Sequence, residues 1–171
     1  MGRARGDAVL SGGVELSHVD ATGAARMVDV SAKNASRRTA VATGVLRTTA
    51  EVVALVTSDG LPKGDALATA RIAGIMGAKR TPDLVPLCHP IAISGVTLDL
   101  TAHEDRIDIR AEVHTTDRTG VEMEALTAVT VAGLTLHDMI KAVDPAAVMD
   151  AVRVERKDGG KTGTWTRPEE R

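Results

Sequence analysis

Two runs of alternating polarity constrain this chain more than any other feature. Val96, Leu98 and Leu100 alternate with Thr97, Asp99 and Thr101, and Ile107, Ile109, Ala111 and Val113 alternate with Asp108, Arg110, Glu112 and His114. Successive side chains of a strand point to opposite faces, so each run has one apolar and one wet face. Glu104-Asp105 joins the two as a hairpin. The longest apolar segment, Val121 to Val143, is rich in Ala, Leu and Met and reads as a buried helix that ends at Asp144-Pro145.

The remaining elements follow from the same reasoning. Thr39 to Arg47 reads as a strand from its β-branched content, and Thr49 to Thr57 as a short helix before the turn Ser58-Asp59-Gly60. Asp65 caps a second helix to about Lys79, in which Gly74 and Gly77 permit close approach, and Pro82 marks its stop. A last strand is expected near Ala151 to Lys157, closed by Asp158-Gly159-Gly160. The order β, α, α, β, β, α, β contains the split βαβ pattern of a ferredoxin-like α+β sandwich with an added helix and an antiparallel sheet. Helices would cover one sheet face, leaving the other face or an edge for pairing with another subunit.

Size and composition narrow the function classes. The 171 residues, 43% apolar, suit one compact domain. With one Trp and no Phe or Tyr, the core must be built from smaller side chains that bury less area each, which favours an added subunit interface. We expect a flexible segment over residues 1–15, a single domain over 16–165 and a flexible tail over 166–171, with Trp165 to Arg171 poorly anchored. The lone Cys88 excludes an internal disulfide and a cysteine-rich metal site, and fits a reducing, cytoplasmic setting. Neither a signal peptide nor a membrane span is legible, so the expectation is a soluble protein. A net charge of −2 argues against a general nucleic-acid binder, and the strands lack the aromatic platforms of an RNA-binding sheet. Arg37-Arg38, Lys79-Arg80 and Arg156-Lys157 read first as solvated faces.

Several signatures fail on spacing. Gly160-Lys161-Thr162 resembles the end of a phosphate loop, but Glu155 stands where its upstream glycine is required. His18, His89, His103, His114 and His137 never take the spacing that puts two imidazoles on one helical face, so no metal site is expected. Cys88 and His89 are adjacent in an extended segment before Pro90 and point to opposite sides, which disfavours a nucleophile-base pair.

Other positions carry two readings each. Lys63-Gly64-Asp65 is either a turn lysine beside a capping aspartate or a mobile cation where a helix start attracts phosphate. Asp138 and Lys141, three apart, form either a structural ion pair or a carboxylate holding a proton-transferring lysine. Glu122 and Glu124 are by default acids favoured at a helix start. If Met123 and Asp138 lie on one helix, they are roughly 22 Å apart at about 1.5 Å per residue. One small ligand touching both then requires a non-helical start or a site between subunits.

The blocks Met27-Val28-Asp29-Val30-Ser31, Lys63-Gly64-Asp65, Ala70-Arg71-Ile72-Ala73-Gly74-Ile75, Ala78-Lys79-Arg80-Thr81, Leu84-Val85-Pro86-Leu87-Cys88-His89-Pro90, Thr119-Gly120-Val121-Glu122-Met123-Glu124-Ala125-Leu126-Thr127-Ala128 and Asp138-Met139-Ile140-Lys141-Ala142-Val143 run in one order. Together they resemble the cyclic pyranopterin monophosphate synthases of molybdenum cofactor biosynthesis, over roughly residues 16 to 165. The resemblance implies a ferredoxin-like subunit in a homohexamer, a trimer of dimers with active sites between subunits. It implies a lyase that converts 3',8-cyclo-7,8-dihydroguanosine 5'-triphosphate to cyclic pyranopterin monophosphate and releases pyrophosphate, with no cofactor. Asp138, Lys63 and Lys141 would be catalytic by that likeness. Leu87, Cys88, His89, Met123 and Glu124 would line the substrate pocket, with Glu122 close by. Arg71, Lys79, Arg80 and Lys161 are further candidates for triphosphate contacts. The chain departs from the family at Arg118, where lysine is common, and at His137, where tyrosine is common. The rival reading is a non-catalytic nucleotide-binding or assembly module of the same fold.

Overall fold

A computed structural model describes residues 23–58, 60–61, 64–161 and 163–169. The flexible segment expected over residues 1–15, the turn residue Asp59 and the candidate Lys63 lie outside the described residues. The elements are β1 (Ser36–Arg47), α1 (Ala50–Thr57), α2 (Ala66–Lys79), α3 (Thr81–Leu84), β2 (Ile93–Ala102), β3 (Arg106–Asp117), α4 (Glu122–Ile140), β4 (Val148–Asp158) and β5 (Trp165–Thr166).

The strands form one antiparallel sheet in the order β2-β3-β1-β4-β5. β3 lies between β1 and β2, and β1 lies between β3 and β4, which is the doubled split βαβ arrangement of a ferredoxin-like fold. The register explains which face is dry. Ala40, Ala42 and Leu46 of β1 are buried on the same side as Ile107, Ile109, Ala111 and Val113 of β3. α4 lies on this side and presents Ala125, Ala128, Val129, Ala132, Leu136 and Ile140, all fully buried, to the core. α2 packs beside α4 and over β2. Small residues set the spacing of these layers: a Cβ on Gly77 would press on Val131 at 2.8 Å, and one on Gly74 would fall 2.8 Å from the Ala128 carbonyl. The interior is therefore filled by close approach of backbones rather than by aromatic bulk.

The opposite face is polar and cross-linked. Arg110 pairs with Glu112 at 2.7 Å, Arg153 with Glu155 at 2.7 Å, and the Thr43 hydroxyl donates to Glu155 at 2.7 Å.

Several boundaries differ from expectation. β1 begins at Ser36, β2 at Ile93 and β4 at Val148, each three residues early, α4 ends at Ile140 rather than Val143, and β4 carries register shifts against β1 that break the simple alternation. Pro82 does end the reach of α2, but it also sits in the first turn of α3, where a missing N–H costs nothing. The expected loose end from Trp165 is corrected in part. Trp165 and Thr166 pair with Lys157 and Arg156, the Arg167 N–H donates to the Glu155 carbonyl at 2.8 Å, and the Arg167 guanidinium lies over the Trp165 ring.

Candidate active site

The first turn of α4 meets the loop after α3 in a cavity of about 420 Å3. Leu87, Cys88 and His89 come from that loop, Glu122, Met123 and Glu124 from the helix start, and Val28 and Val30 close the far wall. All six pocket residues expected from the sequence therefore share one cavity. A turn closed by the Cys88 N–H to the Val85 carbonyl, 3.0 Å, orients the loop. His89 is fixed next: its Nε2 lies 2.8 Å from the Val28 carbonyl. A carbonyl only accepts, so Nε2 carries the proton, and Nδ1 of the neutral ring is left as an acceptor.

Glu124 is the unusual group. It is only 2% exposed and its Oε2 has no hydrogen-bond partner. Burial pushes its carboxyl up to about 7; the bond from its own backbone N–H opposes this, and the charge of nearby Glu122 adds to it. The same crowding raises the Cys88 thiol, through burial first and then through the charge of Glu124. At neutral pH this wall of the cavity holds a proton that it can give or take.

A second cleft of about 240 Å3 adjoins the first, and Lys33, Thr119, Gly120 and Glu122 line both. Its other walls bring Arg38, Arg118, Lys157 and Lys161 together. Lys157 reaches Glu122 at 3.0 Å on the shared wall. Of the four phosphate candidates, Lys161 lies here. Arg71 instead donates to the Leu98 carbonyl at 3.1 Å, and Lys79 and Arg80 sit at the C-terminal end of α2, lining neither cavity. Arg38 and Lys157 escaped the sequence reading as site residues because only the β1–β4 register, Thr39 opposite Asp158 and Ala40 opposite Lys157, brings them near each other.

Asp138 and Lys141 do form the close pair, Nζ to Oδ1 2.7 Å, with both side chains more than half exposed. They stand at the far end of α4. The helix is continuous from Glu122 to Ile140, so Met123 and Asp138 are separated by roughly 22 Å at about 1.5 Å per residue. Of the two ways for both ends to serve one ligand, the non-helical start is thereby removed. Lys63 falls outside the described residues, although the neighbouring Asp65 caps α2 as expected, accepting from the Ala68 N–H at 2.9 Å.

Among the described residues no group of three or more His, Cys, Asp or Glu is placed to hold a metal ion, and no helix is long and apolar enough to cross a membrane.

Comparison with known proteins converges on one family. The sequence profile of the MoaC family matches residues 27–160. The chain is 63% identical over 167 residues to cyclic pyranopterin monophosphate synthase 2 of Mycobacterium tuberculosis, covering 98% of this chain and 99% of that protein. It is 65% identical over 152 residues to the cyclic pyranopterin monophosphate synthase of Streptomyces coelicolor, 89% of each chain. Against the protein of that name from Corynebacterium glutamicum the identity is 57% over 152 residues, 89% of this chain and 97% of the other.

Proposed function

Because the chain belongs to the MoaC family, we propose that it is a cyclic pyranopterin monophosphate synthase, a lyase of molybdenum cofactor biosynthesis. Its substrate is 3',8-cyclo-7,8-dihydroguanosine 5'-triphosphate, which it rearranges to cyclic pyranopterin monophosphate with loss of pyrophosphate. The observation that carries this reading is the cavity in which Leu87, Cys88 and His89 meet Glu122, Met123 and Glu124 next to a cluster of cations.

The rearrangement is a series of proton transfers beside a polyphosphate, and the residues present suit it. Lys63 and Lys141 serve as acid and base, with Asp138 orienting Lys141. His89, held through Nε2, accepts or returns a proton at Nδ1, and Glu124 stores one near neutral pH. Residues 16–165 make up the catalytic domain, and a reducing cytoplasm suits its single cysteine.

The length of α4 supports a site shared between copies in a homohexamer built from dimers. The solvent side of this helix carries Met123, Thr130, Leu134 and Asp138, and Leu134 is 66% exposed. Two α4 helices apposed antiparallel about a two-fold axis near Thr130 and Val131 would bury Leu134 and set Met123 of one copy opposite the partner subunit's Asp138. Each dimer then has two complete sites.

The test is to incubate the purified protein with the cyclised GTP intermediate and assay pyrophosphate and pterin. Both should appear, whereas GTP alone should yield neither. Absence of both products from the intermediate would leave only a nucleotide-binding or assembly module.

A further inference from the structure

We propose that Asp29 is a positioning residue for His89: the segment that carries it fixes the imidazole in one tautomer and sets a carboxylate near the ring to balance the charge gained when Nδ1 takes a proton. The use of His89 as a proton carrier rests on the synthase reading. The hold of the segment on the ring comes from its contacts alone.

Residues 27–31 run past the larger cavity with alternating sides. Val28 and Val30 are half-buried and line its wall, while Met27, Asp29 and Ser31 are exposed. The run ends in a turn, because Asp29 Oδ1 accepts the Ser31 N–H at 2.8 Å, the local bond by which aspartate starts one. The Lys33 N–H closes on the Val30 carbonyl at 3.0 Å directly after it. This turn fixes where the carboxylate stands. One residue earlier, the Val28 carbonyl accepts from His89 Nε2 at 2.8 Å. Among the described residues, that is the hydrogen bond tying residues 27–33 to the rest of the chain.

His89 therefore feels the segment twice. The carbonyl keeps the proton on Nε2 and leaves Nδ1 as the basic nitrogen. Once Nδ1 is protonated, the bond to Val28 becomes charge-assisted and the nearby carboxylate meets an opposite charge. The two side chains act on each other. The Asp29 carboxyl lies below its ordinary range through the Ser31 N–H first and the Ser31 hydroxyl next; desolvation opposes this, and the charge of His89 adds to it. The other two acids of the cavity are committed elsewhere. Glu122 pairs with Lys157 at 3.0 Å, and burial pushes Glu124 up to about 7. Among the described residues no cation pairs with Asp29, so its charge is left for the ring.

Asp29→Asn isolates the charge, because its amide oxygen still accepts the Ser31 N–H. It should lower kcat by about five- to ten-fold and leave KM within about two-fold, a fraction of what a general base supplies since the carboxylate is exposed. Asp29→Ala loses charge and turn together, so kcat should fall further and KM should rise as Val28 and Val30 leave the cavity wall. Asp105→Asn, the same change of charge in the β2–β3 hairpin, should behave as the wild type does. A readout free of turnover is the nitrogen NMR spectrum of the full chain labelled in its histidine rings, with the His89 signal identified by its loss in His89→Gln. Wild type and Asp29→Asn should show His89 in the Nε2-protonated tautomer alone, and Asp29→Ala a mixture of both. Circular dichroism verifies the fold of each variant. Wild-type kcat in the folded Asp29→Asn protein would overturn the role of the charge, and a wild-type ring that samples both tautomers would overturn the hold of Val28. A single tautomer in the wild type that becomes mixed in Asp29→Ala, in a protein that shows no turnover at all, would uphold the hold on the ring and sink the synthase reading, and with it the use of the charge.

Discussion

Asp138 and Lys141 hold each other at 2.7 Å on the last turns of α4, yet each remains more than half exposed to solvent. An exposed pair three residues apart is worth only about 0–1 kcal/mol to stability. If the pair is there for chemistry, Asp138→Asn and Lys141→Ala should leave the denaturation midpoint nearly unchanged and lower kcat by about 100-fold or more. Urea melts and turnover on the same preparations check this. A large loss of stability with little loss of kcat would return the pair to a structural role.

Glu124 gives a stability signature of its own. Its carboxyl titrates near 7 in the fold against an ordinary value of 4.5, so between those values the folded chain holds a proton that the unfolded chain has released. Stability is then fully favoured below about 4.5 and falls as pH rises through about 7, by on the order of 3 kcal/mol for a group this buried. Glu124→Gln removes the slope. Denaturation at pH 5 and pH 8 should show a wild type that weakens across this range and a variant that does so less, and at pH 8 the variant should be the more stable of the two. Its turnover should nevertheless fall, because the amide holds no transferable proton.

The continuity of α4 makes a prediction about mixed assemblies. Glu124→Gln impairs one end of the helix and Lys141→Ala the other, and a site shared across a two-fold axis draws one end from each copy. When the two inactive variants are unfolded together and refolded, half of the pairs are mixed and one site in each mixed pair is intact, so about a quarter of wild-type activity should return. Sites contained within single chains would regain nothing.

How far the sequence reveals all this depends on the range of the interaction involved. The β2–β3 hairpin was legible because each strand alternates cleanly between a buried and a wet face, as Ile107, Ile109, Ala111 and Val113 do. β4 was legible only in its middle, since register shifts against β1 leave Val148 and Val152 exposed and spoil the period of two. The larger cavity was recognisable only because two local blocks, residues 87–89 and 122–124, resemble those of the cyclic pyranopterin monophosphate synthases; taken alone they read as a loop and a helix start, and their meeting depends on tertiary packing. The basic cleft was not, because Arg38 and Lys157 are each half of an ordinary charged dipeptide until strand pairing brings them together. Nor did any local pattern announce β5, a two-residue strand that exists only through its pairing with β4.

The small-residue seam between α2 and α4 provides the last prediction. In an exposed helix, replacing glycine by alanine gains about 1 kcal/mol through reduced backbone entropy. Gly74 is the reverse case. Its added methyl would meet the Leu98 side chain, the Ala128 carbonyl at 2.8 Å and the Ala132 Cβ at 3.2 Å. Leu98 can turn aside, but a carbonyl in the middle of α4 moves only with its helix. Overpacking of this kind costs about 1–3 kcal/mol, which outweighs the propensity gain. Gly74→Ala should therefore lower the urea midpoint without changing the denaturant slope. Because α4 carries catalytic candidates at both ends, the displaced helix should also lower kcat. An unchanged midpoint would mean that the two helices separate more readily than their contacts imply.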